Sequence, residues 1–248
     1  LMTVRPFRSP HHTISPVALV GGGTNPLPGE ISLAHNGILF LDEFPEFSRS
    51  VLEVMRQPLE DRHITVSRAR YSIDYPASFM LVASMNPCPC GYYNHPTKEC
   101  TCTPGQVSRY LSRISGPLLD RIDIQCEILP VAIDKLSDGP TGERSDAIRE
   151  RVIAARAIQE RRFADEPGVH CNAQMNSRLM TRYCRLDAET RAILEKVMVK
   201  LELSARAYDR ILKVARTIAD LSGKRLLDED SLLEALQYRA QEKVDLTF

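Results

Sequence analysis

Ile38-Leu39-Phe40-Leu41-Asp42-Glu43 is the stretch on which the reading of this chain turns. Four consecutive apolar residues fit a strand buried on both faces, as in a parallel sheet. Two adjacent carboxylates close it. In open α/β sheets, ligands bind beyond the carboxyl ends of the strands. An aspartate there can hold Mg²⁺ beside a nucleotide's phosphates. A neighbouring glutamate can polarise an attacking water.

An apolar strand ending in Asp-Glu is the Walker B pattern of nucleotide-hydrolysing proteins. Its usual companion is the phosphate-binding loop G-x-x-x-x-G-K-[ST], and the 248 residues do not contain it. Gly223-Lys224 is the single Gly-Lys pair, but Arg225 follows it and Ile218 stands where the first glycine belongs. Gly21-Gly22-Gly23-Thr24 carries no lysine and reads as a flexible turn. The chain is therefore expected to be the carboxyl-terminal part of a longer ATPase, inactive alone.

Working outward, residues 1–37 are rich in Pro, Gly and His, which disfavours long helices. Gly29 to His35 fits a short helix. Ser48 can cap a helix running through Glu60, with Val51, Leu52, Met55 and Leu59 on one face. A hairpin follows, His63 to Val66 and Tyr71 to Asp74, joined by Ser67-Arg68-Ala69-Arg70. Phe79 to Ala83 is a second all-apolar strand, ending at Ser84-Met85-Asn86. A cysteine-rich loop at 87–104, a helix near 105–113 and a strand from Ile122 to Ile128 complete this part.

Composition then shifts. Residues 134–143 read as a linker. Residues 144–163 read as an amphipathic helix, basic through Arg149, Arg151, Arg156, Arg161 and Arg162, most simply a solvated face. Helices are expected at about 176–183, 187–201, 204–222 and 228–243, with Asp187 and Asp228 as N-caps. The expected organisation is a partial α/β ATPase core at 1–130, linker and basic helix at 131–175, and an all-α lid at 176–248.

Hydrophobic content of 43% supports a sizeable core, and the net charge is zero. A global field toward nucleic acid is thus excluded, and DNA contacts must come from local patches or from assembly. No apolar run approaches the roughly 20 residues that span a bilayer. With no signal peptide opening the chain, a cytoplasmic location is expected.

Asn86, at the end of the strand after Asp42-Glu43, can orient an attacking water without taking its proton, the sensor 1 role. Arg121, after Ser115-Gly-Pro-Leu-Leu-Asp120, can reach a neighbouring subunit's nucleotide as an arginine finger. The simpler alternative is a local pair with Asp120 or Asp123. Cys88-Pro-Cys90 and Cys100-Thr-Cys102 offer four thiolates for a tetrahedral, structural Zn²⁺ site. A redox pair and a loop of free thiols are the rivals, and His95 is a substitute ligand. His11-His12 has no third metal ligand nearby in sequence.

Six segments together carry a family resemblance: Arg5-Pro-Phe-Arg-Ser-Pro-His-His-Thr13, Pro28-Gly-Glu-Ile-Ser-Leu-Ala-His-Asn-Gly37, Ile38 to Glu43, Arg56-Gln-Pro-Leu-Glu60, Asn86-Pro-Cys-Pro-Cys-Gly91 and Ser115 to Asp123. The chain resembles the magnesium-chelatase-like branch of AAA+ ATPases, and within it the bacterial ComM (YifB) family, almost end to end. The resemblance implies a ring, hexameric in full length, with an amino-terminal Lon-like domain and a P-loop preceding the part seen here. It implies ATP-driven, helicase-type branch migration on branched or single-stranded DNA during natural transformation. Carried over by residue, Asp42 holds Mg²⁺, Glu43 activates water, Asn86 is sensor 1 and Arg121 the finger. Arg206 is sensor 2, with Arg210 as runner-up. In this branch the hairpin at 62–75 points into the ring's pore, which would place Arg68 and Arg70 on DNA phosphates. The segment 5–28 would be a second pore loop. The alternatives are the ATPase partner of a metal-chelatase complex inserting Mg²⁺ into a porphyrin, and a protein-remodelling ATPase.

Overall fold

The computed structural model describes residues 4–23, 26–68, 71–128 and 142–244. The chain divides into two compact units, Leu1–Ile122 and Asp123–Phe248. In chain order the first unit contains β1 (Phe7–Arg8), α1 (Pro16–Val20), β2 (Gly21–Gly22), β3 (Leu27–Pro28), α2 (Glu30–Leu33) and β4 (Ile38–Leu41). A 3₁₀ turn at Phe44–Glu46 leads to α3 (Arg49–Val54), α4 (Arg56–Asp61), β5 (His63–Arg68), β6 (Tyr71–Pro76), β7 (Met80–Ala83), α5 (Pro104–Leu111) and α6 (Gly116–Leu119). The second unit is helical: α7 (Ser145–Arg162), α8 (Ser177–Tyr183), α9 (Ala188–Lys200), α10 (Ala205–Leu221) and α11 (Glu229–Val244). Residues 134–141 of the expected linker lie outside the described residues.

The expected Asp-Glu strand is β4, the middle of a three-stranded parallel sheet ordered β1-β4-β7. Its register pairs Phe7 with Ile38, Ile38 with Met80 and Leu41 with Ala83. Gly37 allows the approach of β1, since a Cβ there would meet the Pro6 carbonyl oxygen at 2.0 Å. Burial on both faces is not observed. Successive side chains on a strand point to opposite faces. Leu39 and Leu41 are fully buried, against Phe44, Phe47, Val51, Leu52 and Met55. On the other face Phe7 stacks on Phe40 with ring centroids 6.1 Å apart, and Phe7, Met80 and Val82 are exposed.

Helix starts follow local side-chain chemistry. The Ser48 hydroxyl accepts from the Val51 N–H, opening α3. Thr103 and Gln106 form a capping box in front of α5, with Pro104 in its first turn. The helix expected from Ser48 through Glu60 is two pieces that meet at Met55. Pro58 is the reason: it has no N–H for the Val54 carbonyl, and its ring crowds that carbonyl.

The hairpin is present as β5 and β6, paired from His63↔Pro76 to Arg68↔Tyr71. The strand expected from Ile122 to Ile128 is not formed. The alternation of Ile122, Ile124, Cys126 and Ile128 imitates a strand, but the Gln125 N–H goes to the Tyr238 carbonyl instead of a sheet neighbour, and Ile124 and Ile128 are exposed. Gly21-Gly22, read as part of a turn, is one arm of a short antiparallel pair with Leu27–Pro28.

In the second unit all four expected helices are present as α8 to α11, with Asp187 capping α9 through the Thr190 N–H at 2.8 Å. Phe163, Leu179, Leu194, Ile211, Ala215 and Leu232 form its apolar core. Inside that core Asp220 is fully buried and receives Arg162, Arg216 and Asn172. Among the described residues, no helix is long and apolar enough to cross a membrane.

Candidate active site

Three parallel strands end side by side, and each delivers polar groups just beyond its last residue. β4 delivers Asp42 and Glu43. β7, in register with it, delivers Ser84 and then Asn86. β1 leads to His11 and His12. Because Leu41 is level with Ala83, the next residues, Asp42 and Ser84, must be neighbours. The Ser84 hydroxyl donates to Asp42 Oδ1, and the Glu43 backbone N–H donates to the same oxygen at 3.0 Å. Two donors on one oxygen fix the orientation of the Asp42 carboxylate. The loops interlock as well, with the Ser84 N–H on the Leu41 carbonyl at 3.0 Å and the Phe44 N–H on the Ser84 carbonyl at 2.9 Å.

Glu43 sits in the left-handed region, with φ 53°. For a non-glycine residue this is uncommon and costs on the order of 1 kcal/mol. Its side chain is 57% exposed, and Oε2 lies 3.0 Å from His12 Nδ1. Asn86 is exposed, three residues beyond the end of β7. A hard carboxylate oxygen at Asp42 fits the preference of Mg²⁺ for oxygen ligands.

Arg121 is placed differently from the expectation of a guanidinium open to a neighbour. Nη2 donates to Glu60 Oε2 and Nη1 to the Pro117 carbonyl, both at 2.5 Å. The local partners considered for it, Asp120 and Asp123, are not the ones it takes in these two bonds. In the second unit Arg206 is exposed in the first turn of α10, and Arg210 donates to Asp123 Oδ1 at 2.5 Å. Of the two hairpin cations, Arg68 closes β5 and Arg70 lies outside the described residues. Tyr75 on β6 donates its hydroxyl to the Pro26 carbonyl at 2.9 Å, tying the hairpin to the 5–28 segment.

The four loop cysteines converge. Cys88 Sγ lies 3.4 Å from Cys90 Sγ and 3.7 Å from Cys100 Sγ, and Cys90 and Cys100 are 3.6 Å apart. With Cys102, all four sulfurs fall within 4.8 Å of one another. Tetrahedral zinc with bonds of about 2.3 Å requires sulfurs about 3.8 Å apart, so the cluster fits. The Cys90 thiol is lowered to about 5, chiefly by the Tyr92 backbone N–H. Cys100, although drawn down by the Cys102 backbone, is pushed up to about 12 by desolvation and by Cys90 and Cys88. One thiolate at Cys90 thus holds the protons on its neighbours, and a bound cation would draw those remaining protons off. His95 is occupied elsewhere, its Nδ1 accepting from the Lys98 N–H at 3.0 Å.

Three residues of this region were not foreseen from sequence as partners of the site: Ser84, Glu60 and His12. Ser84 had a usable signal, since parallel pairing of the two apolar strands predicts its adjacency to Asp42. Glu60 and His12 had none, because their partners are separated from them by 61 and 31 positions.

Comparison with known proteins decides the family. Residues 1–136 match the profile "Magnesium chelatase, subunit ChlI", and residues 142–239 match its carboxyl-terminal companion. The chain belongs to the magnesium chelatase ChlI family. Its parallel sheet with flanking helices followed by a helical unit is the AAA+ fold of that family. It is 51% identical over 237 residues to Competence protein ComM of Haemophilus influenzae, covering 95% of this chain and 45% of that one. It is 48% identical over 243 residues to YifB of Escherichia coli, covering 97% of this chain and 46% of that one. A Mycobacterium tuberculosis protein is 39% identical over 240 residues, 96% and 47% of the two chains. The ChlI-family chain thus spans about half the length of the curated relatives it matches.

Proposed function

We propose that this chain carries the water-activating half of the nucleotide site of a ring-forming ATPase that remodels DNA. The observation that supports it best is the Asp42 carboxylate, oriented by Ser84 and the Glu43 N–H at the ends of two parallel strands. Asp42 would hold Mg²⁺, which supplies charge neutralisation at the phosphates. Glu43 accepts the water's proton, and Asn86 orients that water. Arg121 serves a neighbouring subunit as finger, and Arg206 senses nucleotide. Arg68 and Arg70 contact DNA phosphates, and the product is branch migration in transformation. The name of the Haemophilus relative supports the transformation role. The four cysteines hold a structural Zn²⁺ that pins the loop between β7 and α5.

The test is the ATPase rate of the full-length protein, with and without branched DNA, with Glu43→Gln as control. Stimulation by DNA that Glu43→Gln abolishes is the expected result. A second reading, the ATPase partner of a metal chelatase, is favoured by the family profile itself. Robust hydrolysis indifferent to DNA would select it or a protein-remodelling role.

A further inference from the structure

We propose that His12 is a positioning residue for Glu43. The inference rests on the reading of Glu43 as the water-activating base. Glu43 alone is poorly placed for that task. More than half of its side chain is exposed, on a stem with three rotatable bonds, and its backbone already sits at φ 53°. A general base must lie within hydrogen-bond reach of one water, and a misplacement of about 1 Å can cost about 100-fold in rate.

His12 supplies the missing anchor. Its Nδ1 is 3.0 Å from Glu43 Oε2, which in the Nδ1–H tautomer is a donor to that oxygen. One carboxylate oxygen is thereby engaged and the other is left to accept a proton. The imidazole is itself held. Its ring is 4.1 Å from the His11 ring and meets the buried Phe47 edge-on at 6.4 Å. The turn beneath it is fixed by His11 Nδ1 against Thr13 Oγ1 at 2.9 Å and by the Ile14 N–H on the His11 carbonyl at 3.0 Å. The turn leaves β1, which pairs directly with β4, so His12 approaches Glu43 from the adjacent strand end. Side chains that hold a catalytic group from packed, hydrogen-bonded positions give it the orientation chemistry requires.

The experiment measures steady-state ATP hydrolysis by the full-length protein and three variants. His12→Phe keeps a ring against His11 and Phe47 but removes the donor. His12→Asn puts an amide N–H near the place of Nδ1. Glu43→Gln removes the base. The expected result is a fall in kcat of about 10- to 100-fold in His12→Phe with KM for ATP within about twofold, and substantial recovery in His12→Asn. If Glu43→Gln abolishes turnover while His12→Phe leaves kcat unchanged or raises it, the positioning role is wrong and the base stands. If His12→Phe lowers kcat and raises KM together, and Asn does not rescue, the residue is merely structural. If Glu43→Gln itself turns over normally, the base assignment falls and the role of His12 falls with it.

Discussion

Arg121 is locked to Glu60: the guanidinium reaches Oε2 at 2.5 Å with its own side chain 6% exposed and that of Glu60 38% exposed. The two residues come from distant segments, α4 and the turn after α6. Any contact of Arg121 with a neighbouring subunit must be made from this latched position or after leaving it. Glu60→Ala removes the carboxylate that accepts from Arg121 Nη2 and leaves a buried charge behind. The expected cost is about 1–2 kcal/mol, below the 3–5 of a fully buried pair because Glu60 is partly solvated. Urea unfolding of the chain reads it. In the full-length protein Arg121→Ala is expected to retain nucleotide binding and to lose about 10³-fold or more in kcat. Unchanged turnover would remove the finger assignment.

The cysteine cluster predicts a metal stoichiometry. The purified chain is expected to hold one zinc per chain by elemental analysis, and Cys100→Ser to lose it. Chelation is expected to lower the melting temperature of the wild type and to leave the variant unmoved, since binding to the folded state alone adds stability. Metal-free wild-type protein that melts at the same temperature as the loaded form would defeat the structural role.

Asp220 is the strongest stability prediction. It is buried in the helical unit and receives Arg162 at 2.5 and 2.6 Å and Asn172 at 2.8 Å. Asp220→Ala would leave two guanidinium groups uncompensated in the interior, at a cost of about 3–5 kcal/mol. A shift in the denaturation midpoint smaller than that of an ordinary surface substitution would contradict the network's role.

Asp228 gives a pH dependence. Its carboxyl is depressed to about 2, first by Lys224 and then by Ser231 at the start of α11. A depressed carboxylate contributes stability that is fully present above its unfolded value, about 3.9, and is lost as pH falls through about 2. The stability gap between wild type and Asp228→Asn should therefore be largest near pH 6 and close as pH drops from about 4 to 2. Denaturation midpoints across that range measure it, and a gap independent of pH would refute the assignment.

For the hairpin, replacing Arg68 and Arg70 by Ala in the full-length protein is expected to weaken DNA binding. It should also flatten the slope of log K against log salt by about 2. A slope equal to that of the wild type takes the hairpin off the DNA path.

Much of this molecule was legible locally. The apolar run Ile38–Leu41 forms the strand expected of it, in a parallel sheet, with Asp42 and Glu43 just beyond its end. Ser48, Asp187 and Asp228 cap helices because a short polar side chain reaches the N–H groups two or three residues on. Four cysteines within fifteen positions converge because the loop is short. These features depend on spacing, and spacing is written in the chain. Other features depend on which distant surfaces meet. Sequence could not say that one face of the sheet stays open among the described residues, or that the Ile122–Ile128 alternation forms no strand. Nor could it say that Arg162, read as part of a solvated basic face, is drawn inward to Asp220 across 58 positions. The couplings Glu43–His12 and Arg121–Glu60 belong to the same class. Each needs the strand order and the helix packing first, because a hydrogen bond is decided within about 3 Å, and only the tertiary fold brings residues so far apart in sequence to that distance.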